Sequence, residues 1–212
     1  MPRLLITLCL FLCLSVFLPG CSSSSEPLKS PNGQPMLRDG RYLSSYDAFA
    51  ADPKYRDTRD VWYHDGRISR ASTSNSRIVV NLATQRGILL VDGEVGMDFP
   101  VCTGKSTHET PRGRFSIIQK VEDYRSKSYG SVFNAAGKCV NSDATASSSV
   151  PGGGRFIGAK MPLWMRIHGG VGLHVGTVYR DANSHGCIRV PIEACRILFD
   201  KCGVGTPVVV QE

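Results

Sequence analysis

The sequence has few residues of several kinds, and each shortage excludes a class of protein. Only five of the 212 residues are histidine and only two are tryptophan, so a cluster of histidines is informative. The formal net charge is +7, but no run of five like charges occurs and the basic residues do not cluster with aromatic ones. This spread argues against a nucleic-acid partner. A hydrophobic content of 42% is enough for one main domain.

The N terminus is typical of a secretory signal. Arg3 precedes an apolar run over 4–18 that is too short to span a bilayer, and "LPGCSSSS" follows it. We predict that residues 1–20 are a signal peptide. The ending resembles a bacterial lipobox in which Cys21 is acylated, and the alternative is plain secretion with Cys21 unmodified. Acylation would anchor the protein to a membrane on the periplasmic side of the cell envelope, with the outer membrane favoured over the inner one.

Residues 21–74 are predicted to form a lipid-anchored tether and an irregular N-terminal extension. From residue 22 to about 40 the composition is rich in Ser, Pro, Gly and Asn, which cannot bury enough apolar surface to offset the entropy of ordering. Residues 41–74 contain several aromatic side chains without clean periodicity. We expect this second part to pack onto the domain without long regular elements.

Residues 75–212 are predicted to form one mainly β domain. The runs "RIVVNL", "ILLVD" and "MDFPVC" are short, apolar and separated by turn signals, which favours consecutive antiparallel strands. Further strands are expected near 114–119, in "LWMRIH", in "VGLHVG" and in the final "PVVV". One helix is predicted over 191–200, and the polar, glycine-rich residues 141–154 are expected to be a mobile loop. The fold class is therefore a β-sandwich or closed β architecture with a helix near the C terminus and short additional helices.

Five cysteines remain after the signal peptide and Cys21 are set aside. In an oxidising compartment this odd count favours two disulfides and one free thiol. A bridge between Cys102 and Cys139 is the favoured pair. A straight helix would hold Cys195 and Cys202 too far apart for a bridge, and packing alone explains Cys195.

His174 and Cys187 are the residues that we predict to carry chemistry. Period-two alternation places His174 on the face of its strand opposite Leu173 and Val175. The segment "SHGCIRV" follows after the loop "GTVYRDAN", which is long enough to return Cys187 to the side of His174. Because a free thiol is mostly protonated at neutral pH, a catalytic cysteine needs such a neighbouring imidazole.

The residues around Cys187 suggest supporting roles. His185 projects from the same face as Cys187 if the segment is extended, so it could orient a ligand or hold the loop. Gly186 would let neighbouring main-chain N–H groups approach a reacting carbonyl and form an oxyanion hole. Arg189, or Arg166 on the neighbouring strand, could bind a carboxylate bidentately. The alternative for each arginine is an ordinary surface salt bridge.

The stretch "LHVGTVYRDANSHGCIRVP", with "MPLWMRI" and "FPVCTGKSTHETPRGRF" upstream, resembles the YkuD-type (ErfK/YbiS-like) L,D-transpeptidases. The family pattern is a histidine, a loop, then Ser/Thr-His-Gly-Cys followed two residues later by Asn or Arg. The likeness covers about residues 77–212. The matching positions here are His174, Ser184, His185, Gly186, Cys187 and Arg189.

This resemblance implies a peptidoglycan L,D-transpeptidase with Cys187 as nucleophile and His174 as base. The thiolate would attack the third-residue carbonyl of a stem tetrapeptide, release D-alanine and leave a thioacyl enzyme. An amine would then accept the acyl group, either from another stem in a 3-3 cross-link or from an envelope lipoprotein. Water as acceptor would make the protein a carboxypeptidase. No metal or cofactor is expected, and the predicted substrate contacts are Ser184, Arg189, Arg166 and His168.

Three other interpretations stay open from the sequence. His168, His174, His185 and Cys187 would suffice in number for a zinc site, although their spacing is not that of familiar zinc modules. A papain-like peptidase would place its cysteine before its histidine, contrary to the order here. A lipid-anchored peptidoglycan-binding protein could keep the fold without turnover, and its binding would survive Cys187→Ala.

Overall fold

The computed structural model of the chain describes residues 45–212 and, before them, one pair of short antiparallel strands, β1 (Leu28–Lys29) and β2 (Pro35–Met36). The predicted signal peptide and Cys21 lie outside the described residues, so both stay predictions. Within the described part of the chain, no helix is long and apolar enough to cross a membrane.

Residues 45–212 contain three helices and eleven strands. The helices are α1 (Tyr46–Ala50), α2 (Asp65–Arg70) and α3 (Ile192–Lys201). The strands are β3 (Trp62–Tyr63), β4 (Ser76–Asn81), β5 (Arg86–Val91), β6 (Glu94–Pro100), β7 (Gly113–Ser116), β8 (Gln119–Phe133), β9 (Cys139–Thr145), β10 (Arg155–His168), β11 (Val171–Val175), β12 (Ile188–Val190) and β13 (Pro207–Gln211).

These eleven strands form two sheets. The first has the order β3, β6, β5, β4, β13, β7, in which β4, β5 and β6 are consecutive antiparallel strands and β13 returns parallel to β4. The second has the order β12, β11, β10, β8, β9, and its one parallel pair joins β11 to β12. The prediction of a mainly β fold is therefore confirmed.

The hydrophobic core lies between the two sheets, and α3 packs against it. Residues in β4 alternate as a half-buried strand should, with Ile78 and Val80 buried and Arg77 exposed. The second sheet contributes Met165 and Leu173 to the same core. Helix α3 begins directly after Pro191, one residue later than predicted, and buries Ala194, Cys195 and Leu198 on its inner side.

The outer parts of β8 and β10, together with β9, extend beyond the sandwich; we call residues 124–161 the flap. The mobile loop predicted over 141–154 is wrong for its first part, because 139–145 is strand β9 and pairs with β8. All residues of β9 except Ala144 are exposed. Both faces of β9 are exposed to solvent, so the strand needs no alternation of apolar and polar residues. Its polar sequence is therefore typical of a loop.

All five cysteines of the described residues are free, so the predicted pair of disulfides is wrong. Cys102 is buried, with its Sγ 3.5 Å from the carbonyl oxygen of Asp181, whereas Cys139 is exposed at the start of β9. Cys195 and Cys202 are both buried in the core and unpaired, as the helix geometry predicts. Burial raises the pKa of each of these two thiols to about 12, which makes them unreactive packing groups.

The N-terminal extension packs on the edge of the first sheet, where β3 pairs with β6. Phe49 and Trp62 are buried in a small second cluster, with Tyr46, Tyr55 and Val95 packed against them. The ring centroids of Phe49 and Tyr55 are 5.6 Å apart in an edge-to-face arrangement. Aromatic packing therefore fastens the extension to the domain without long helices or strands.

A buried ion pair lies beneath these aromatic rings. Arg86 and Asp98 are 1% and 0% exposed, and their charged groups are 2.7 Å apart. The hydroxyls of Tyr46 and Tyr55 donate to Asp98 Oδ2 at 3.0 and 2.7 Å. The guanidinium also donates to two main-chain carbonyls of the extension, those of Thr58 and Asp60. Both charges thus have partners supplied by the extension itself.

Candidate active site

The parallel pairing of β11 with β12 brings the two predicted catalytic segments together. Residues 176–187 leave the end of β11 and return so that His174 lies opposite Arg189. Cys187 directly precedes Ile188, whose partner on β11 is Leu173. Residues 102–104 hold the returning segment through bridges to Arg189 and to residue 184. Cys187 therefore lies directly before the strand that pairs with the one carrying His174.

One cleft of about 700 Å³ contains both residues. Its first wall is formed by β11, β12 and the segment between them, and its second wall is the flap. The thiol of Cys187 is free. Of the predicted site residues, the cleft is lined by His174, Ser184, His185, Cys187 and Arg189.

The imidazole of His174 is buried and neutral. Its side chain belongs to a residue only 6% exposed, and Nδ1 lies 2.8 Å from the carbonyl oxygen of Val175. Since a carbonyl oxygen can only accept, Nδ1 carries the hydrogen and Nε2 keeps its lone pair. Burial lowers the pKa of His174 to about 4, with the Val175 carbonyl opposing the shift and Arg189 adding to it. The ring can therefore accept a proton at Nε2 at neutral pH.

The surroundings of Cys187 favour the protonated form of its thiol. Sγ lies 3.6 Å from the carbonyl oxygen of Gly170. Burial raises the pKa of Cys187, while a hydrogen bond with the Gly172 main chain and the charge of Arg189 oppose that rise. Together with a neutral His174, this favours a thiol and an imidazole over a preformed ion pair. The proton is expected to move only when an acyl substrate is in place.

A tight turn over residues 184–187 presents Cys187 to the cleft. We call it the catalytic turn, because it carries the predicted nucleophile. Gly186 has a φ of 103°, a left-handed conformation that favours glycine. Ser184 Oγ donates to the carbonyl oxygen of Cys187 at 2.5 Å and accepts the Gly186 N–H at 3.1 Å. The N–H of Gly186 is thus already engaged, so it does not serve the oxyanion hole that the sequence analysis assigned to this stretch. Ser184 shapes the turn.

Sequence reasoning missed Thr110, which supports this turn from behind. Thr110 is 3% exposed, donates to the carbonyl oxygen of Gly186 at 2.9 Å and accepts the N–H of Gly104 at 2.9 Å. It lies in "THETPRG", within a stretch that carries the family resemblance, but a threonine in a loop gives no signal of such a role. The hydroxyl joins the 104–110 loop to the catalytic turn.

His185 connects the catalytic turn to the flap. Its ring stacks on Tyr129 of β8 with centroids 4.4 Å apart and lies 5.0 Å from the ring of His108. Its Nε2 is 3.4 Å from Asp143 Oδ1 on β9. Burial lowers the pKa of His185, and Asp143 opposes that shift. These contacts favour the loop-holding role among those expected for His185.

Arg166 and His168 do not line the cleft. His168 is exposed at the end of β10 and packs near Phe115 of β7, with ring centroids 5.5 Å apart. The register of β10 with β11 shifts between Arg166 and His168, and neither residue is among those that line the cleft. The structure thus leaves the predicted substrate contacts of these two residues without support.

The ring of Trp164 packs beside His174 in the protein interior. It is 0% exposed, its ring stacks on Tyr124 with centroids 4.9 Å apart, and it lies 6.1 Å from the ring of His174. This apolar backing removes water from the imidazole, which is the main cause of its low pKa. The sequence did not indicate this role for Trp164.

The residues considered for zinc do not converge. His168 lies outside the cleft that His174, His185 and Cys187 line. Across the residues that the structure describes, no group of three or more His, Cys, Asp or Glu side chains is arranged as metal ligands. The geometry therefore supports the thiol and imidazole chemistry and gives no support to the zinc alternative.

Comparison with known proteins identifies the family of the domain. The family model YkuD, described as the L,D-transpeptidase catalytic domain, matches residues 75–210. YqjB of Bacillus subtilis (strain 168), a protein assigned as an L,D-transpeptidase, is 31% identical over 145 residues, which are 64% of this chain and 70% of that one. A solved L,D-transpeptidase from Mycobacterium smegmatis shares the fold, with a TM-score of 0.52 and 23% identity over 65% of this chain and 59% of that one. The chain therefore belongs to the YkuD family of L,D-transpeptidase catalytic domains.

Proposed function

We propose that the protein is a peptidoglycan L,D-transpeptidase that uses Cys187 as its nucleophile and His174 as its general base. One observation carries the proposal: the free thiol of Cys187 and the neutral imidazole of His174 line the same cleft, with His174 on β11 and Cys187 directly before the parallel neighbour β12. Membership of the family supports the reaction class, and the cleft supports the roles of individual residues.

In the first step, Sγ of Cys187 attacks the carbonyl carbon of the third residue of a stem tetrapeptide. Nε2 of His174 takes the thiol proton as the carbon–sulfur bond forms. Because the pKa of His174 is only about 4, the imidazolium is a strong acid in this buried place. It gives its proton to the amine of the leaving D-alanine as the peptide bond breaks, which leaves a thioacyl enzyme and a neutral imidazole.

In the second step, an amine attacks the thioester carbonyl and His174 takes a proton from it. The carbon–sulfur bond then breaks, and the imidazolium returns the proton to Sγ of Cys187, which regenerates the free enzyme. An amine of a second stem gives a 3-3 cross-link, and a lysine of an envelope lipoprotein gives covalent anchoring. Water in place of the amine gives a trimmed tripeptide, the carboxypeptidase alternative. The negative charge that develops on the carbonyl oxygen needs main-chain donors, and the N–H groups of 185 and 187 are the candidates since that of Gly186 is bound to Ser184.

The proposal includes a place in the cell. The lipobox-like ending before Cys21 supports acylation and attachment to a membrane of the envelope, with the catalytic domain on the periplasmic side where its substrate lies. Replacing Cys21 with alanine should release the protein from the membrane fraction. Retention of the variant in that fraction would contradict lipid anchoring and leave the catalytic proposal untouched.

The decisive experiment is incubation of the purified protein with a disaccharide tetrapeptide that contains meso-diaminopimelate. Mass spectrometry separates the dimer, the exchanged tetrapeptide and the tripeptide, and a peptide map locates the thioacyl group on Cys187. Cys187→Ala should abolish every product. Cys139→Ala is the matched control, because Cys139 is exposed and lies outside the cleft.

A carbapenem provides a second probe of the same thiol, and we expect one covalent adduct at Cys187. The proposal would be contradicted if folded protein gave neither a carbapenem adduct nor any product from the tetrapeptide. Binding of peptidoglycan that is equal in wild type and Cys187→Ala, without turnover in either, would instead favour the non-catalytic binding protein.

A further inference from the structure

Strands β8 and β10 lose their register at one point above the cleft. Arg125 lies opposite Lys160, whereas the next pair is Gly130 opposite Gly158. Four residues of β8, 126–129, therefore correspond to a single residue of β10, and we call residues 126–129 the bulge. Extra residues in one strand displace its side chains from the regular sheet, and here they do so beside the catalytic turn.

The bulge is closed by its own first residue. Ser126 Oγ accepts the N–H groups of Ser128 and Tyr129 at 3.2 and 2.9 Å. A Cβ at Gly158 would lie 2.0 Å from the carbonyl oxygen of Ser126, and a Cβ at Gly130 would meet β10 main chain at 2.2 Å. Only glycine fits at both ends of the bulge, so this distortion is built into the sequence.

The bulge places a lysine over the cleft. All four of its residues line the cleft, among them Lys127, and Lys160 of β10 lines it as well. Arg189 projects from the opposite wall, close enough to both catalytic groups to affect the pKa of each. Three basic residues on three strands therefore line one cavity.

Among the residues that the structure describes, no acidic side chain lines this cleft. The carboxylate that contacts its wall, Asp143, is 73% exposed and interacts with His185. Among the described residues, neither Lys127 nor Lys160 has an ion-pair partner. Lys160 also lies directly opposite Arg125, a like-charge pair that destabilises the flap by itself. An anionic ligand would supply the negative charge that these basic residues lack within the fold.

We propose that Lys127, with Lys160 beside it, is a specificity-determining residue that binds the free carboxylate on the side chain of the third stem residue of the donor. This inference rests on the proposed function. Arg189 lies beside the reacting centre, whereas Lys127 belongs to the facing wall, so the two cations suit carboxylates on different parts of the donor. A donor in which that side-chain carboxylate is amidated leaves Lys127 without a partner, and the cleft discriminates against it.

The test compares two disaccharide tetrapeptide donors that differ only in a free or an amidated side-chain carboxylate. We expect the wild-type kcat/KM for thioacyl formation to favour the free acid by about tenfold, as suits a hydrogen bond to a charged group. In Lys127→Gln the ratio should fall towards one, mainly through slower reaction of the free acid, and Lys127→Arg should restore most of it. Lys160→Gln should lower the ratio by a smaller factor.

Lys138→Gln is the matched control, because Lys138 is an exposed lysine beyond the end of β8 that does not line the cleft. Alkylation of Cys187 by uncharged iodoacetamide should proceed equally in all variants, which shows an intact cleft. Equal reaction of both donors with wild type, or equal slowing of both by Lys127→Gln, would overturn this inference while the proposed function stands. Acylation by neither donor would overturn the proposed function itself.

Discussion

Arg86 and Arg189 are both held in place by the fold, but their charges have opposite surroundings. Arg86 is 1% exposed and its guanidinium is met by Asp98 and two main-chain carbonyls. The stem of Arg189 packs so closely on Gly176 that a Cβ there would lie 2.9 Å from its Cγ, yet its guanidinium has no acidic partner in the described part of the chain. A charge satisfied within the fold stabilises structure, and a charge left facing a cavity is available to a ligand.

The same contrast separates the N-terminal extension from the cleft. Beneath the extension, the hydroxyls of Tyr46 and Tyr55 donate to the carboxylate of Asp98, and these groups are sealed under aromatic rings. In the cleft, a neutral His174 and a protonated Cys187 lie among cations that lack internal partners. Substitutions should therefore change stability at the first region and reaction rate at the second.

The largest expected effect is on catalysis. His174→Ala should slow acylation of Cys187 by a stem tetrapeptide about 10²- to 10⁴-fold, the usual contribution of a general base. The rate of thioacyl formation, followed by mass spectrometry, measures this loss. His168→Ala is the matched control, because His168 is exposed outside the cleft. An unchanged rate in His174→Ala would remove that residue as the base.

Removal of the buried carboxylate should affect stability instead. Asp98→Ala leaves Arg86 buried without its counter-charge, and the free energy of unfolding should fall by about 3–5 kcal/mol. Urea denaturation measures the loss, and the acylation rate of the folded variant should match that of wild type. Glu94→Gln is the control: it removes the exposed pair with Arg67 and should change stability by less than about 1 kcal/mol. Similar losses of unfolding free energy in Asp98→Ala and Glu94→Gln would contradict the expected difference between a buried and an exposed ion pair.

Substitution of Thr110 tests whether the shape of the cleft depends on buried hydrogen bonds behind the catalytic turn. Thr110→Val removes the hydroxyl that bonds the Gly186 carbonyl and the Gly104 N–H, which should reduce stability by about 1–3 kcal/mol and slow acylation. Thr110→Ser keeps the hydroxyl and should retain most of both quantities. Equal acylation rates in the two variants would show that the catalytic turn holds its shape without this bond.

The smallest effect is a displacement of a pH profile. Protonation of His174 removes the base, so kcat/KM should fall as the pH drops through its pKa of about 4, well below the ordinary 6.5. Trp164→Ala admits water to the imidazole, raises this pKa and should move the acidic limb to higher pH. A wild-type limb near 6.5 would show that His174 is not desolvated during turnover.

Apolar patterning predicted most of the sandwich, because β4 and β5 bury alternate residues and because β6 and β11 are short runs with consecutive buried residues. Strand β9 and the bulge were not predictable in this way, since their residues are held by backbone pairing and by Ser126 and glycines rather than by burial. The motif around Cys187 indicated five residues that share the cleft. It did not indicate Thr110 or Trp164. Their roles depend on contacts with Gly186 and His174, which lie 76 and 10 positions away in the chain.

The flap is built from the same two strands that continue into the core. On β10, Met161 lines the cleft and Met165, four residues further, is buried between the sheets. From Lys160 to Arg166 strand β10 keeps one register with β8, although Leu163 within this stretch has a left-handed φ of 55°. Widening of the cleft by movement of the flap would therefore require both paired strands to bend together, and Leu163 marks the place where the backbone already departs from a regular strand.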